Sequence, residues 1–305
     1  MEKEKVVTAT PVPPPPAESM VNLLGKELPA DAAPLSEQVM SIFGGTPYTQ
    51  DRFISMYRSS GFTSPFSLGL VRFDKDYNVL PCAAENWTMS EDGTRWTFYL
   101  YKGIMWSDGK ELTADDYVFS FRYGADPAHA WDFAWYYSNI KNWAAATAGA
   151  VGVEEIGVKK IDDHTLEFEA TEAAPYLPSQ LIWSVPLSKA AFEAHGELYN
   201  NAVETHCTCS PLKLTSWEKD VEFTFELNEK YTGPAELIPY YTKFRSYVPA
   251  AIDALTAYQT SDVRWMRSDS TTGRVAEADP ELSQQLYWMY GDFRTYFRLY
   301  LSGAL

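Results

Sequence analysis

Strict alternation between apolar and polar residues is the feature that most constrains the fold of this chain. Residues 221–227 alternate in this way, with acidic or polar side chains between Val221, Phe223, Phe225 and Leu227. Residues 96–101 show a similar pattern after the turn signal at residues 92–93. A period of two places every second side chain on one face of a strand. Both stretches are therefore predicted to be half-buried β-strands.

Other segments predict further strands and a hairpin. Residues 39–43 form a short apolar run that ends at the turn signal of residues 44–47, which is typical of a buried strand. Residues 68–73 form a second apolar run. The alternation on either side of residues 162–163 predicts a hairpin between about residue 158 and residue 170.

Helix signals are interspersed among these strands. Thr113 supplies an N-cap hydroxyl and Asp116 an acidic third helical residue, so a helix is expected to begin at Thr113. Ser188 is expected to cap a short helix that Gly196 ends. Residues 249–258 look helical, and residues 279–281 are typical of the start of a last helix. Because there is no regular βαβ rhythm and no internal repeat, we expect a mixed α/β architecture.

Composition narrows the class of protein. A chain of 305 residues corresponds to roughly two domains, and its formal net charge of −16 disfavours nucleic acids and anionic lipid surfaces as partners. No stretch approaches the ~18 apolar residues of a membrane span, and no secretory signal is recognisable. Three cysteines, Cys82, Cys207 and Cys209, cannot all pair within the chain and predict no disulfide framework.

The N-terminal segment differs from the rest in composition. Residues 6–18 are rich in proline, with Pro13 to Pro16 consecutive, which favours an extended polyproline II conformation without a core. We therefore expect residues 1–34 to be a disordered, Pro-rich tether. This tether could also hold a folded domain away from a surface.

No motif of a known catalytic centre is present, so no catalytic residue and no cofactor are predicted. With 41 acidic residues, a pair of carboxylates in a cleft can arise by chance, and a secreted carbohydrate-active enzyme stays an alternative. His206, Cys207 and Cys209 could hold zinc if His195 joined them, but the Cys-x-Cys spacing is unusual for zinc. Buried or loosely paired thiols are the preferred interpretation, and no metal site is predicted.

Aromatic residues are the surplus of this composition, at 15% of the chain. They are densest between Trp131 and Trp143, where Trp135 and Tyr136 also lie. One interpretation is a helix that packs in the core, and the other is a set of rings that lines a ligand cleft.

An ordered series of short segments resembles the extracellular solute-binding proteins of peptide ABC transporters, solute-binding family 5. The most distinctive is Trp106 with Ser107, Asp108 and Gly109, followed by residues 112–120. The other segments that carry the resemblance are residues 69–73, 79–81, 84–87, 90–93, 96–100, 126–127, 162–166, 185–187, 212–217, 227–231, 254–262 and 279–282. Their order covers most of the chain from about residue 40 onward. These residues are turns, caps and strand aromatics, so the signature is one of scaffold.

The resemblance implies a periplasmic-binding-protein-like α/β fold of type II, with mixed sheets in two lobes plus an extra domain. It implies a discontinuous first lobe at residues 35–56 and 183–260, an inserted domain at 57–182 and the start of a second lobe at 261–305. Family members usually run further, so most of the second lobe is expected to lie outside this chain. The chain departs from the family at Ser210, where a Gly-Pro-Tyr turn is common.

The resemblance further implies an extracytoplasmic protein that captures peptides and delivers them to the permease of an ABC transporter. It implies no cofactor, and we expect contact with a membrane only through a lipid tether, which we expect to have been lost from this chain. An oligosaccharide-binding receptor of the same family is the alternative. The residues predicted to bind ligand are Gly44, Gly45, Thr46, Tyr48, Trp131, Trp135, Tyr136 and Ser210.

Overall fold

The computed structural model describes residues 20–44, 46–47, 49–51, 53, 68–247 and 253–286. The chain divides into a large unit, Met1–Trp265, and a small unit, Met266–Leu305. All strands of the described residues lie in the large unit. They are β1 (Val39–Phe43), β2 (Val71–Phe73), β3 (Val79–Pro81), β4 (Ala84–Met89), β5 (Arg95–Leu100), β6 (Val158–Asp162), β7 (Thr165–Glu169), β8 (Leu212–Glu218), β9 (Glu222–Leu227) and β10 (Lys243–Tyr247).

One four-stranded sheet, called here the strand-end sheet, has the order β1-β10-β9-β8. Strands β1 and β10 are parallel, with Val39 opposite Lys243, whereas β9 is antiparallel to both β10 and β8. The predicted strand at residues 39–43 is confirmed. The predicted strand at residues 221–227 is confirmed from Glu222 onward, whereas Val221 lies in the preceding turn. The buried residues of this small core are Leu212, Leu214, Phe223, Phe225, Leu227 and Phe244.

A second four-stranded sheet, the insert sheet, has the order β4-β5-β7-β6 and is antiparallel throughout. Trp96, Phe98 and Leu100 all point into the core from β5, as their alternation predicts. The hairpin predicted around residues 162–163 is confirmed as β6 and β7. Strands β2 and β3 form a separate antiparallel pair.

The helices of the described residues are short apart from one. They are α1 (Ala114–Ala125), α2 (Trp143–Thr147), α3 (Leu177–Gln180), α4 (Lys189–His195), α5 (Ala254–Gln259) and α6 (Ser270–Ala278). Thr113 is the N-cap of α1, as predicted. Ser188 caps α4 through a hydrogen bond from the Ala191 N–H, and Gly196 follows its last residue.

The predictions for the C-terminal helices are only partly confirmed. Helix α5 begins at Ala254, capped by Asp253, so it is shorter than predicted, and residues 248–252 lie outside the described residues. Helix α6, in the small unit, was not predicted, although Asp269 caps it by accepting hydrogen bonds from the Thr271 and Thr272 N–H groups. The last helix predicted at residues 279–281 is a 3₁₀ turn at Leu282–Gln285 in the described residues, and the Asp279 carboxylate accepts hydrogen bonds from the Glu281 and Leu282 N–H groups at its start.

The N-terminal prediction needs a correction at one end. Residues 20–28 form a small hairpin with an antiparallel bridge between Val21 and Glu27, and Leu28 is buried. The predicted disordered tether is therefore too long, because a hairpin that buries an apolar side chain holds part of it in place. The predicted boundaries of the lobes and of the inserted domain stay a prediction.

Candidate functional site

The candidate site lies where β1 and β10 end. Because the two strands are parallel, their carboxyl ends meet at one edge of the strand-end sheet. The Gly44 N–H donates a hydrogen bond of 3.1 Å to the Tyr247 carbonyl, and the Ser246 hydroxyl donates one of 3.2 Å to the Gly44 carbonyl. In open α/β sheets, ligands bind outside the carboxyl ends of parallel strands. A ligand is therefore first expected at the carboxyl ends of β1 and β10.

The loop after β1 is held against the β8–β9 turn. The Asp220 N–H donates a hydrogen bond of 2.8 Å to the Thr46 hydroxyl. Asp220 has a φ of 62°, the left-handed conformation that a tight turn requires. We call the group formed by Gly44, Thr46, Asp220 and Tyr247 the strand-end site. The predicted residues Gly44 and Thr46 thus lie together, whereas Gly45 and Tyr48 lie outside the described residues.

Charged and aromatic side chains flank this site. The Arg245 guanidinium lies 3.9 Å from the centre of the Tyr247 ring, and its Nε donates a hydrogen bond of 2.8 Å to Glu222. The hydrogen bonds from Arg245 hold the pKa of the Glu222 carboxyl below its usual value. Burial raises the pKa of Tyr247, whose hydroxyl donates to the Asp262 carbonyl. The flank therefore offers a half-exposed cation, an ionised carboxylate and a neutral phenol to a polar ligand.

The other edge of β1 is bridged by the end of the large unit. Ile42 and Trp265 form a parallel bridge, and the Arg264 and Trp265 N–H groups both donate to the Ser41 carbonyl, at 2.8 and 3.1 Å. The Trp265 ring is half exposed there. Trp265, Arg245 and Tyr247 are not among the candidates predicted from the sequence. Their signal was weak, because each lies about two hundred residues along the chain from the loop that it joins.

The predicted aromatic residues lie elsewhere. Trp131 is 6% exposed and packs 5.0 Å from Phe53 in the larger core, so in this conformation it does not line a cleft. Trp135 is 61% exposed, and Tyr136 is half buried and stacks on Phe133. Strand β1 packs on the smaller core instead. The structure therefore does not bring the aromatic set together with Gly44 and Thr46.

The predicted residue Ser210 is buried in the turn before β8. The residue is fully buried, its hydroxyl accepts a hydrogen bond from the Leu212 N–H, and its carbonyl accepts one from the Asn228 side chain. These bonds hold the turn that leads into β8. With no exposed surface, Ser210 supports the sheet in this conformation. The assignment of the eight residues to ligand binding stays a prediction.

The distinctive sequence signature forms a buried polar junction instead of a binding site. The Asp116 carboxylate accepts hydrogen bonds from the Thr113 N–H at 2.9 Å, the Lys189 N–H at 3.0 Å and the Trp106 indole at 3.3 Å. It thereby joins the start of α1, the start of α4 and the turn at residues 106–109. Burial raises the pKa of Asp116 despite these hydrogen bonds. The signature is therefore one of scaffold, as the sequence analysis expected.

Two cavities in the described part of the chain are small. One of about 30 Å³ is lined by residues that include His206, Cys207 and Cys209, and one of about 210 Å³ lies beside Asp116 and Lys189. Both are below the ~300 Å³ at which ligand pockets usually begin. None of the strand-end residues lines either cavity.

The alternative of a zinc site at His206 has no support. Across the described residues, no three His, Cys, Asp or Glu side chains are arranged to hold a metal ion. Cys82, Cys207 and Cys209 are buried free thiols, and burial raises the pKa of each. Burial also lowers the pKa of His206 to about 4. These are the properties of packed side chains and not of metal ligands.

Comparison with known proteins identifies the class. The profile of the bacterial extracellular solute-binding proteins, family 5 (middle region), matches residues 78–297. This range is more than half of the chain, so the protein belongs to this family, and the predicted membership is confirmed. In the part of the chain that the structure describes, no helix is long and apolar enough to cross a membrane.

The relatives that the chain resembles include an oligopeptide-binding protein and a probable deoxycholate-binding protein. The chain is 33% identical over 174 residues to the periplasmic oligopeptide-binding protein OppA of Escherichia coli, a match that covers 56% of this chain and 32% of OppA. It is 34% identical over 167 residues to the probable deoxycholate-binding periplasmic protein YgiS of the same organism, covering 53% of this chain and 31% of YgiS. The chain thus matches about a third of the length of these relatives.

Solved structures confirm the predicted fold. Haemophilus influenzae OppA in complex with RPPGFSPFR has a TM-score of 0.67 at 26% identity, covering 80% of this chain and 48% of that protein. Listeria monocytogenes OppA bound to peptide has the same TM-score and identity, covering 74% of this chain and 46% of that protein. The mixed α/β fold of the peptide-binding proteins is therefore shown for this chain.

Proposed function

We propose that the protein captures peptides outside the cytoplasm and delivers them to the permease of an ABC transporter. The observation that carries this proposal is the shared fold and 26% identity with OppA structures that contain peptide. The relatives are named as binding proteins and not as enzymes, which supports a binding role without catalysis. Names that include "periplasmic" support the extracytoplasmic location.

The strand-end site supports the same proposal physically. Extended peptides are recognised mainly through main-chain hydrogen bonds, with pockets that accept varied side chains. The loop at Gly44 and Thr46 lies at a sheet edge, beside Arg245 and Tyr247, which offer charge and an aromatic face. We place the peptide against this edge. The predicted oligosaccharide ligand and lipid tether gain no support from the relatives and are not part of the proposal.

Isothermal titration of the 305-residue chain tests the ligand class. The probes are the nonapeptide RPPGFSPFR, a tripeptide, deoxycholate and a maltooligosaccharide. We expect saturable heat with the peptides and none with the sugar. A peptide at 100 times its dissociation constant should add about 2.7 kcal/mol to the free energy of unfolding. Binding of deoxycholate without peptide would replace the peptide proposal with a bile-acid ligand, which the likeness to YgiS would explain.

Two substitutions test the location of the site. Thr46→Trp fills the strand-end site and is expected to weaken peptide binding by about tenfold or more, equivalent to 1.4 kcal/mol. Trp135→Ala removes the exposed ring of the aromatic set and is expected to leave the affinity unchanged. If instead Trp135→Ala weakens binding and Thr46→Trp does not, the peptide lies on the aromatic surface.

A further inference from the structure

The N-terminal hairpin contacts both hydrophobic cores of the large unit. Leu24 packs against the larger core under the insert sheet and also against the smaller core of the strand-end sheet. Among the described residues, it is the half-buried apolar side chain common to the two clusters. A side chain shared between two cores stabilises both only while they stay together.

The hairpin is built around one buried amide. Asn22 is 5% exposed, and its Oδ1 accepts hydrogen bonds of 3.0 Å from both the Leu24 and the Lys26 N–H groups. Its Nδ2 donates a hydrogen bond of 3.0 Å to the Pro239 carbonyl. Gly25 has a φ of +81°, which the turn between Asn22 and Lys26 requires. The side chain of one residue therefore both closes the hairpin and attaches it to a distant segment.

The segment that receives this bond also spans the two cores. Leu237 and Ile238 pack against the larger core, whereas Tyr241 packs against the smaller one. The Lys26 ammonium lies 4.9 Å from the centre of the Tyr240 ring, a second attachment of the hairpin to the same segment. Residues 20–28 and residues 237–241 thus lie side by side, and both segments contact the two cores.

The attached segment leads directly into the strand-end sheet. The Thr242 N–H donates a hydrogen bond of 2.8 Å to the Gln38 carbonyl, immediately before β10 and β1 begin to pair. A hairpin that holds residues 237–241 in place therefore holds the start of β10 in place. The contact lies at the opposite end of β10 from the strand-end site.

We propose that residues 20–28 form a clasp that couples the two cores, so that the strand-end sheet and the insert sheet unfold as one cooperative unit. Without the clasp, the strand-end sheet has a core of six buried apolar residues and a parallel pairing between distant parts of the chain. Such a sheet is the first to open when a contact with its neighbour is lost. The coupling does not depend on which ligand the protein binds.

Adjacent leucines provide a matched test. Leu24→Ala removes the shared contact, whereas Leu23→Ala removes a neighbouring side chain that is 69% exposed. Native-state hydrogen exchange of the full chain, followed by mass spectrometry, compares peptides from β9 and β10 with peptides from β5 and β7. For Leu24→Ala we expect exchange in β9 and β10 to rise by about tenfold or more relative to β5 and β7. For Leu23→Ala we expect no change in this ratio.

Other outcomes decide against the clasp. Equal acceleration in both sheets would mean that Leu24 adds stability without coupling the cores, and no acceleration would mean that the hairpin is passive. Asn22→Ala is the second variant, because it truncates no apolar side chain but removes the bond to Pro239 together with the two hydrogen bonds that close the hairpin. It is expected to shift exchange in the same direction as Leu24→Ala, and a change confined to residues 20–28 would overturn the proposal.

Discussion

The two four-stranded sheets of the large unit differ in how far apart their paired strands lie in the sequence. The insert sheet joins strands that lie between residues 84 and 169, all antiparallel, with turns that are visible in the sequence. The strand-end sheet joins β1 to β10. Thr242 and Gln38, which are hydrogen-bonded just before these strands begin, are 204 positions apart in the chain. Local turns specify the β4–β5 and β6–β7 hairpins of the insert sheet, although its central pairing places Trp96 of β5 opposite Phe168 of β7. The pairing of β1 with β10 joins parts of the chain that are farther apart still, and no local signal specifies it.

The hydrophobic cores beside the two sheets differ in how many apolar side chains they bury. The larger core contains the rings of the aromatic stretch, with Tyr137 and Trp143 5.3 Å apart, and the buried Asp116 junction ties helices to it. The smaller core has few buried side chains, among which Phe223 and Phe225 are 4.7 Å apart. The sheet that presents the candidate site is thus the one with less apolar packing. Binding regions are commonly drawn from the less stable parts of a protein.

The largest effect is expected in the smaller core. Phe225→Ala removes a fully buried ring and should lower the free energy of unfolding by about 3–5 kcal/mol. Chemical denaturation followed by circular dichroism measures this loss. Glu226→Ala on the opposite face of β9 is the control, because it removes only an exposed ion pair with Lys243 and should cost less than about 1 kcal/mol. Similar losses in the two variants would mean that the Phe225 ring contributes little to this core despite its burial.

The next effect concerns the buried junction of the larger region. Asp116→Ala leaves three buried or half-buried donors without their acceptor, and the free energy of unfolding should fall by about 3 kcal/mol. Urea unfolding gives the value. Asp115→Ala is the matched neighbour, because Asp115 makes a half-exposed ion pair with Lys160, and its loss should be below about 1 kcal/mol. Equal effects at the two positions would show that the junction does not stabilise the fold.

The free energy of unfolding should depend on pH through His206, which packs against the smaller core of the strand-end sheet. Burial lowers the pKa of His206, whose ring packs edge-on against Phe225, to about 4. In the unfolded chain the pKa of a histidine is near 6.5. Between pH 4 and pH 6.5 the unfolded chain therefore binds more protons at His206 than the folded protein does. Stability is therefore retained above about pH 6.5 and lost as the pH falls towards 4, by about 2–3 kcal/mol from this group.

Comparison of variants isolates this contribution from that of the carboxylates. His206→Gln should flatten the loss of unfolding free energy between pH 6.5 and pH 4, measured by denaturation at each pH. His195→Gln serves as the control at another histidine of the large unit. An unchanged slope in His206→Gln would mean that this side chain is accessible to protons in the folded protein.

The smallest expected effect tests the loop of the strand-end site. Thr46→Val removes the acceptor of the Asp220 N–H and should destabilise the β8–β9 turn by about 1 kcal/mol. Faster hydrogen exchange at residues 218–222 would report it. Thr46→Ser keeps the hydroxyl and should restore the slow exchange. Failure of serine to restore it would show that the methyl group, and not the hydrogen bond, holds the loop.

The sequence by itself determined most of the local structure. The cap at Thr113, the alternation at residues 96–100 and the turn at residues 162–163 each specified an element that the structure contains. The family could also be recognised, because its signature consists of these caps and turns. Such signals act over a few residues, through backbone hydrogen bonds and side-chain direction, so they can be found without knowledge of the rest of the fold.

Only the tertiary structure decided which of the candidate residues lie together. Trp131 and Ser210 look suitable for a ligand in the sequence, yet packing buries both. Gly44 acquires its neighbours Tyr247 and Asp220 through a parallel pairing and a turn far along the chain. Burial and long-range pairing depend on the free energy of the whole core, to which every segment contributes at once, and no short stretch of sequence contains that sum.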